Sequence, residues 1–510
     1  MKRVKINRWT AALAAVGLVS AASVASAQSS GTVTNSATTT NSNVATTNST
    51  GGFFTRFDKA MREQLGEPAY EAPATNAPPP HHRGHPTPFD SPPYPTGDWQ
   101  IGGTPIIGDE NALPTYPLTE AMWSIPTLGD AMKNNKINLY GWEDVSGNFS
   151  SSRDTAAGPN ANFPMGYDSR PNRLEQNQGV LFLERDPDEF QTDHLDWGFR
   201  YSVLYGLDYR YMISRGFLSS QLLKSAPGVI GQPAGNLGNF YGVDMPMMYF
   251  DFYIPNIADG MNIRVGRIIS EPDIEAQLAP NNLMSSHSLL YTFDPYCQWG
   301  VFTSTKLNAN WTVQAGICAG DDVAPWQKDP ETQPTGTVMI QWQSDNNKDS
   351  FYGGANSFNN GDFGYNNLQA YVGTWTHKFN DWCWTSQEAW YMYMHGASTG
   401  PTTSVPYQNG AFPVRPGYAP EWATVNYTMF RLGASTFLTI RNEYFDDFVG
   451  SRTGYDTCYT EHSIGLTWWP DKLMTVRPEL RYDRSINKMA FNNGTRYQQF
   501  TASCDVIFHF

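Results

Sequence analysis

The sequence predicts an all-β fold: a transmembrane antiparallel up-and-down β-barrel of about 16 strands, with 14 also allowed by the even-number rule. Apolar and polar residues alternate with period two in many segments from Ile137 to Phe510. No stretch after Gln28 approaches the ~20 apolar residues that a spanning helix needs. If the mature chain enters a membrane, it must therefore cross as strands.

The last fourteen residues, Tyr497–Phe510, show the alternation most clearly. One parity is apolar: Phe500, Ala502, Cys504, Val506, Phe508 and Phe510. The other parity is polar except for Ile507. Side chains on a strand alternate between two faces, and the segment exceeds the ~9–11 residues of a tilted membrane strand. Taken alone, it also fits an amphipathic strand of a soluble sandwich.

The N-terminus has the pattern of an export signal. Four cations up to Arg8 precede an apolar run from Ala11 to Val24, and Ala25-Ser26-Ala27 provides a small-residue cleavage site. An uncleaved anchor helix is the alternative, but the run is short for a span. We therefore predict a signal peptide at 1–27.

The next segment, 28–135, is predicted to be a largely disordered lead with one or two short helices. Gln28–Gly52 is almost wholly Ser, Thr, Asn, Gly, Ala and Val, and 67–105 is rich in Pro, so neither part can bury a core. Apolar residues recur at helical spacing over 53–65, and 118–133 is predicted to hold another short helix. The barrel is then predicted to occupy 136–510.

Composition fits a wall that is apolar on one side and wet on the other. Aromatic residues make up 14% of the chain and charged residues 16%, with a mean hydropathy of −0.46. The formal charge is −14, and removing the four signal-peptide cations gives −14 − 4 = −18 for the mature protein. Nucleic acid is therefore not expected as a partner.

Charged residues decide which face of the wall is wet. In Leu473–Asp483, four charged residues share one face, and an arginine turned toward lipid at the midplane would cost ~2–4 kcal/mol. The charged face is therefore predicted to line the lumen. The predicted pore-lining residues, which partly pair across neighbouring strands, are Arg200, Arg264, Arg441, Glu443, Glu461, Arg477, Glu479, Arg481 and Asp505. The alternative role for each is to rigidify the wall without touching solute.

Turns are predicted to alternate between short and long, with the short ones facing the periplasm. Tight turns are expected near Asn308, Asn380, Gly433 and 470–472. Long loops, which include Gly396–Glu421 and Glu271–Ser286, are expected to face outside. The aromatic residues near short turns that predict an interfacial girdle are Trp375, Phe379, Trp382, Trp384, Trp468 and Trp469.

Neither a metal site, a cofactor nor a disulfide is predicted. His81, His82 and His85 lie in a Pro-rich run without a carboxylate in register, so solvated histidines are the favoured interpretation. The same holds for the loop carboxylates Asp321, Asp322 and Asp362, although they are also candidates for favouring cations or binding calcium. The five cysteines are interpreted as small wall residues: Cys297, Cys318, Cys383, Cys458 and Cys504. A Cys297–Cys318 disulfide is disfavoured because Cys297 shares the apolar face of its strand and Cys318 the polar face of the next.

Several motifs resemble the putative β-barrel porin family called OmpL-like: Gly206–Tyr211, Tyr241–Asp244, Tyr253–Pro255, Val265–Arg267 and the hairpin Phe293–Gly320. The resemblance covers about 137–510 and implies an outer-membrane barrel that admits small solutes. A strand ending on an aromatic residue also resembles the closing strand of bacterial outer-membrane barrels. That likeness implies that the barrel assembly machinery reads Phe508 and Phe510 as a signal.

The leading functional hypothesis is a porin in the cell outer membrane, in contact with lipid, through which small hydrophilic solutes or ions diffuse passively. An oligomer is left open. One alternative is a structural or adhesive barrel plugged by the 53–65 helix or by a long loop folded inward. A barrel-scaffold enzyme is the other, and the chain is not predicted to be an enzyme, since His194, His377 and His462 are dispersed without a recognisable nucleophile motif.

Overall fold

The computed structural model describes residues 52–67, 116–153, 161–189, 191–221, 240–269, 274–327, 332–346, 348–359, 368–395 and 417–510. Within them, seventeen strands form one antiparallel sheet. The first strand pairs with both the second and the last, so the sheet closes into a ring. The signal peptide, most of the lead, the three lead histidines and Asp362 lie outside these residues, and the predictions about them stay predictions.

The ring has sixteen strand positions, because two of the seventeen strands occupy the same position. The strands are β1 Asn138–Ser150, β2 Leu174–Arg185, β3 Asp196–Gly206, β4 Gly242–Asp244, β5 Met248–Ile254, β6 Met261–Ile269, β7 Cys297–Lys306, β8 Trp311–Asp321, β9 Thr335–Gln343, β10 Asp349–Phe358, β11 Gln369–Asn380, β12 Cys383–His395, β13 Tyr418–Gly433, β14 Thr436–Asp447, β15 Thr457–Asp471, β16 Met474–Ser485 and β17 Gln498–His509. Both β4 and β5 pair with β3. The prediction of about 16 strands is confirmed.

Alternation along the strands gives the ring its two faces. In β16 four of the five charged residues are buried inside, whereas Leu480 on the other parity is 50% exposed on the outer surface. Ile507, the exception in the last strand, is fully buried on the inward parity. The predicted assignment of faces is thus confirmed for these strands.

Connections alternate between short and long around the ring. The tight ones match the prediction and comprise 307–310, 381–382, 434–435 and 472–473. β1 begins and β17 ends at the same edge as these turns, which is the periplasmic edge in outer-membrane barrels. Among the described residues, no helix is long and apolar enough to span a membrane.

In the part of the lead that the structure describes, three helices precede the barrel: α1 Phe53–Gln64, α2 Pro117–Trp123 and α3 Leu128–Asn134. Gln64 Nε2 of α1 donates to Glu120 of α2 at 2.8 Å. Thr119 Oγ1 of α2 donates to the carbonyl of Leu139 at 2.7 Å, which fastens α2 to β1. Lys472, in a short turn, donates its N–H to the carbonyl of Glu67. α1 therefore packs at the short-turn end of the ring.

The predicted aromatic girdle is only partly observed. Trp375, Phe379, Trp382 and Trp468 are 42–55% exposed on the outer surface. Trp384 and Trp469 instead point inward, and their rings lie 5.3 and 5.7 Å from that of Phe437. The prediction is wrong for these two because proximity to a turn does not fix the parity of a side chain.

All five cysteines are free thiols. Cys297 was expected on the apolar outer face with Trp299 and Val301, but it is only 1% exposed. Its Sγ lies 2.9 Å from Ser214 Oγ, beneath the connection after β3. The register shift between Gln298 and Gly300 explains why simple parity fails at this position.

Candidate functional site: the lumen and its inward loop

Residues 274–296, the described part of the connection between β6 and β7, fold into the ring and are called here the inward loop. It contains a turn at Ala279–Asn281 and helix α4 at Leu289–Thr292. Leu278 and Leu289 are at most 1% exposed. The prediction that Glu271–Ser286 faces outside is therefore wrong for the described part, and the alternative of an inward-folded loop describes its position.

Arg477 on β16 fastens the first half of the inward loop. Its Nη1 donates to the carbonyls of Ala279 and Asn282 at 2.6 and 2.7 Å. Its Nε donates to the Asp505 carboxylate on β17 at 3.0 Å. One guanidinium thus binds a neighbouring strand and the loop backbone together, which satisfies polar groups that would otherwise be buried without partners.

Two wall carboxylates accept hydrogen bonds from the second half of the loop. Glu479 accepts the N–H of Ser286 at 2.8 Å and the hydroxyl of Ser285 at 3.1 Å. Glu443 accepts the N–H of Leu289 at 2.8 Å. That N–H belongs to the first turn of α4, where backbone donors have no partner within the helix. The wall therefore supplies the acceptors that the loop backbone lacks.

Arg441 on β14 joins the wall and the loop through several carboxylates. Its guanidinium lies 3.1 Å from both Glu461 and Glu479, and 3.4 Å from Glu275 of the loop. Its Nη1 also donates to the carbonyl of Ser286 at 2.7 Å. The side chain is fully buried, and so many partners offset the cost of removing its charge from water.

Arg481 completes this cluster. It binds Asp483 of its own strand at 2.7 Å and donates to Ser286 Oγ at 3.1 Å and to the carbonyl of His287. Seven of the nine residues predicted to line the pore belong to this network on β14–β17: Arg441, Glu443, Glu461, Arg477, Glu479, Arg481 and Asp505. Their convergence on a loop was not predicted.

Arg200 and Arg264 lie elsewhere on the inner wall. Arg200 of β3 pairs with Glu184 at 2.7 Å, and Arg264 of β6 pairs with Asp251 at 2.8 Å. All nine predicted residues face inward and are at most 5% exposed. Whether they contact a permeating solute stays a prediction.

A second group of inward carboxylates was missed by the sequence analysis and is called here the acidic strip: Asp144, Asp168 and Asp208. Asn177 Nδ2 donates to Asp144 at 3.1 Å, and Gln178 Nε2 donates to Asp208 at 2.9 Å. One carboxylate oxygen of each strip residue is buried without a hydrogen-bond partner. Within the described part of the chain, none of the three forms an ion pair, unlike the arginine-bound carboxylates of β14–β17.

Burial changes the ionisation of the two strip residues that lie in loops. It raises the pKa of Asp168 to about 7, and the nearby carboxylates Glu479, Glu175 and Asp505 contribute to the increase. Burial likewise raises the pKa of Asp208, with a smaller opposing effect from Gln178. The charge of Asp168 is therefore expected to change near neutral pH.

The histidines considered for catalysis remain apart. His194 contacts Asp193 at 2.9 Å in the connection before β3, and His377 contacts Asp349 at 2.7 Å between β11 and β10. His462 of β15 contacts Asn442 at 2.8 Å. The structure thus brings no nucleophile, histidine and acid together from this set.

Two loop carboxylates predicted to be solvated are buried instead. Asp321 is fully buried and accepts hydrogen bonds from Gln298 Nε2 and Ser357 Oγ, both at 2.7 Å. Asp322 is 3% exposed and accepts the N–H of Cys297 at 2.9 Å. The prediction fails because both residues pack against the first residues of β7. In the described ranges, no group of three or more His, Cys, Asp or Glu residues is placed to hold a metal ion.

Comparisons with known proteins give one family and several structures. No curated protein sequence matches the chain. The anion-selective porin from Comamonas acidovorans is 9% identical, with a TM-score of 0.45 over 73% of this chain and 99% of that chain. The outer membrane channel DcaP of Acinetobacter baumannii is 11% identical, with a TM-score of 0.43 over 73% and 97%. OmpT of Vibrio cholerae in its trimer form is 10% identical, with a TM-score of 0.41 over 73% and 99%. The family model described as "Putative beta-barrel porin-2, OmpL-like" matches residues 136–510, from two residues before β1 to the last residue.

Proposed function

Because the chain belongs to the putative beta-barrel porin-2, OmpL-like family, we propose that it is an outer-membrane porin for passive diffusion of small hydrophilic solutes or ions. The observation that carries the proposal is the closed ring of sixteen strand positions with an apolar outer face and a charged inner face. Rings of about 16 strands are wide enough to enclose an aqueous channel, whereas rings of about 8 are filled by their own side chains.

The inward loop is proposed to set the narrowest part of this channel. Arg441, Arg477 and Glu479 bind it along β14–β17. It also accepts from and donates to Gln178 of β2 and donates to Glu388 of β12, so its contacts with the wall extend from β12 through β17 to β2. Asp144 of the acidic strip lies on β1, which is the next strand of the ring after β17. The nine residues predicted from the sequence are proposed to line or shape the channel, together with the acidic strip.

A plugged barrel is the second candidate, and one observation favours it. The nine inward charged residues are at most 5% exposed, which is low for groups that face a wide water-filled channel. Single-channel recording in planar bilayers separates the two. A porin gives steady open current steps that scale with salt concentration, whereas a plugged barrel gives no steady current.

Export and assembly are proposed to depend on signals at the two ends of the chain. Cleavage after Ala27 is proposed to release the mature chain, and the barrel assembly machinery is proposed to recognise Phe508 and Phe510. Phe510 supports this role because its N–H and carbonyl exchange hydrogen bonds with Gly141, at 2.9 and 3.0 Å, where the ring closes. N-terminal sequencing of the mature protein tests the cleavage site.

An oligomer is proposed from one polar contact on the outer face. Glu143 lies in the middle of β1 on the outward parity, beside the side chain of Gln176. A carboxylate that faces lipid at this depth is costly, and a neighbouring subunit would remove it from lipid. Cross-linking in intact outer membranes tests the proposal, since a strictly monomeric protein would give no higher-mass species.

A further inference from the structure

A groove on the outer surface of the barrel carries charges that the channel does not use. It has a volume of about 590 Å³ and lies where β16, β17 and the end of β1 meet. Arg484 and Arg496 line it, together with Tyr482, Tyr497 and Phe500. The connection between β16 and β17 belongs to the long set, so the groove lies at the extracellular end of the ring.

The two arginines differ from those on the inner wall. Arg200, Arg264 and Arg441 each pair with at least one carboxylate. Arg484 is exposed and, within the described residues, has neither an ion pair nor a side-chain hydrogen bond. Arg496 is also exposed, and within the described residues its side chain donates only to the carbonyl of Ser151, at 2.6 Å, which orients its guanidinium without neutralising it. The groove therefore holds two positive charges without carboxylate partners.

The surface below the groove is apolar. Moving from the extracellular end toward the middle of the wall, Arg484 is opposite Gln498, and Tyr482 is opposite Phe500. Leu480 follows, 50% exposed, and Phe149 on the adjoining strand is 80% exposed on the same outer face. Cations thus lie above aromatic rings, and aromatic rings lie above aliphatic surface. This order matches a lipid with an anionic headgroup at the interface and acyl chains below it.

We propose that this groove binds the phosphorylated headgroup of an outer-leaflet lipid, with Arg484 and Arg496 on the phosphate and Phe149 and Leu480 against the acyl chains. Guanidinium groups bind phosphate through paired, charge-assisted hydrogen bonds, so the two exposed arginines suit a phosphorylated headgroup. Tyr482 and Tyr497 supply hydroxyl groups and ring faces for the sugar or glycerol part of the headgroup. Because the site faces lipid, it is independent of whether the lumen conducts.

The test is a binding measurement on the full mature chain folded in detergent, by native mass spectrometry, with diphosphorylated lipid A as the probe. Dephosphorylated lipid A and inorganic phosphate serve as the other two ligands. The double variant Arg484→Gln/Arg496→Gln is compared with Lys488→Gln. Lys488 lies in the same connection as Arg496, but its charge is already paired with Asp456 at 3.2 Å. Heat-modifiable gel mobility confirms that each variant is folded.

We expect the double variant to bind diphosphorylated lipid A about tenfold more weakly than the unchanged protein, and Lys488→Gln to bind it equally well. Dephosphorylated lipid A should bind more weakly than the diphosphorylated form. Equal binding by the double variant would overturn the proposal, as would equal binding of the dephosphorylated lipid. Inorganic phosphate bound as tightly as lipid A would show a site for free phosphate and overturn the lipid assignment.

Discussion

At the scale of single residues, Arg477 is the clearest case of a charge that is buried because it holds two parts of the molecule together. Replacing it by Met would leave the Asp505 carboxylate and the carbonyls of Ala279 and Asn282 without their donor. Breaking a buried pair in this way costs about 3–5 kcal/mol. The Arg477→Met variant is therefore expected to unfold at a clearly lower urea concentration than the unchanged protein in detergent or lipid.

Arg484 provides the matched control, because it lies on the same strand but points outward and has no carboxylate partner among the described residues. Arg484→Met should change the free energy of unfolding by no more than about 0.5 kcal/mol. If both variants shifted the urea midpoint by the same amount, the stabilising role assigned to the network around Arg477 would be wrong.

The acidic strip makes a different residue-scale prediction, about ion selectivity. Burial and nearby carboxylates raise the pKa of Asp168 to about 7, so its carboxylate is neutral at pH 6 and negative at pH 8. A negative charge in the lumen attracts cations. In a conducting channel, the cation-to-anion permeability ratio is therefore expected to rise between pH 6 and pH 8, as measured by reversal potentials across a salt gradient.

Asp168→Asn should flatten much of this pH dependence and lower the permeability ratio at pH 8. Asp381→Asn is the control, since the Asp381 side chain is 96% exposed in a short turn at the rim of the ring. A permeability ratio that rises with pH to the same extent in Asp168→Asn would contradict the assignment of the pH dependence to this carboxylate.

One physical reason explains which inward-facing residues could be predicted from the sequence and which could not. The inward direction of Arg477, Glu479 and Arg481 could be predicted because the cost of a charge in lipid fixes the parity of a strand. Asp168 and Asp208 could not, since they lie in connections, where period-two alternation carries no information. The inward direction of Trp384 was missed because a tryptophan near the interface can be accommodated on either face.

At the scale of elements, the inward loop determines what the barrel encloses. Its attachment depends on Glu443 and Glu479, which accept backbone N–H groups of Leu289 and Ser286. Replacing both glutamates by Ala would leave those donors buried without acceptors, so the loop is expected to leave the wall more often. If the loop narrows a channel, the double variant should show larger and noisier single-channel currents than the unchanged protein.

Asp446→Ala is the control for this experiment. Asp446 lies on β14, as Glu443 does, but on the outward parity. Its replacement removes a carboxylate from the same strand without touching the loop, and the conductance should stay unchanged. An unaltered conductance in the Glu443→Ala/Glu479→Ala variant, with normal folding, would show that the loop does not limit the current.

The sequence predicted the elements well but not the path of this loop. Alternation predicted the strands, and Gly, Pro and Asn content separated short turns from long connections such as Gly396–Glu421, although its last four residues, 418–421, belong to β13. The connection from β6 to β7 is long and polar, as the loops predicted to face outside are. What draws 274–296 inward is a set of hydrogen bonds to charged groups on β14–β17, about 150–200 residues further along the chain. No local pattern reports contacts at that separation.

At the scale of the whole molecule, the barrel depends on joining the two ends of 136–510. β1 pairs with β17 over the register from Trp142–His509 to Ser150–Thr501. Two further hydrogen bonds between Gly141 and Phe510 complete the seam at the periplasmic edge. An added Cβ on Gly141 would lie 2.1 Å from the carbonyl oxygen of Val180 and 2.9 Å from the Phe510 ring, so glycine allows this close approach.

The seam allows a test that separates ring closure from recognition of the terminal aromatic side chain. Phe510→Ala removes the ring but keeps both backbone hydrogen bonds, whereas deletion of Phe510 removes the ring and the bonds, each of which contributes about 0.5–1.5 kcal/mol. Both variants are expected to lower the heat-modifiable fraction in outer membranes, and the deletion should lower it further. Phe500→Ala, on the same strand and 48% exposed, should assemble normally. A defect confined to the deletion would show that closure of the seam, and not the aromatic ring, limits assembly, whereas normal assembly of both variants would rule out a role for either.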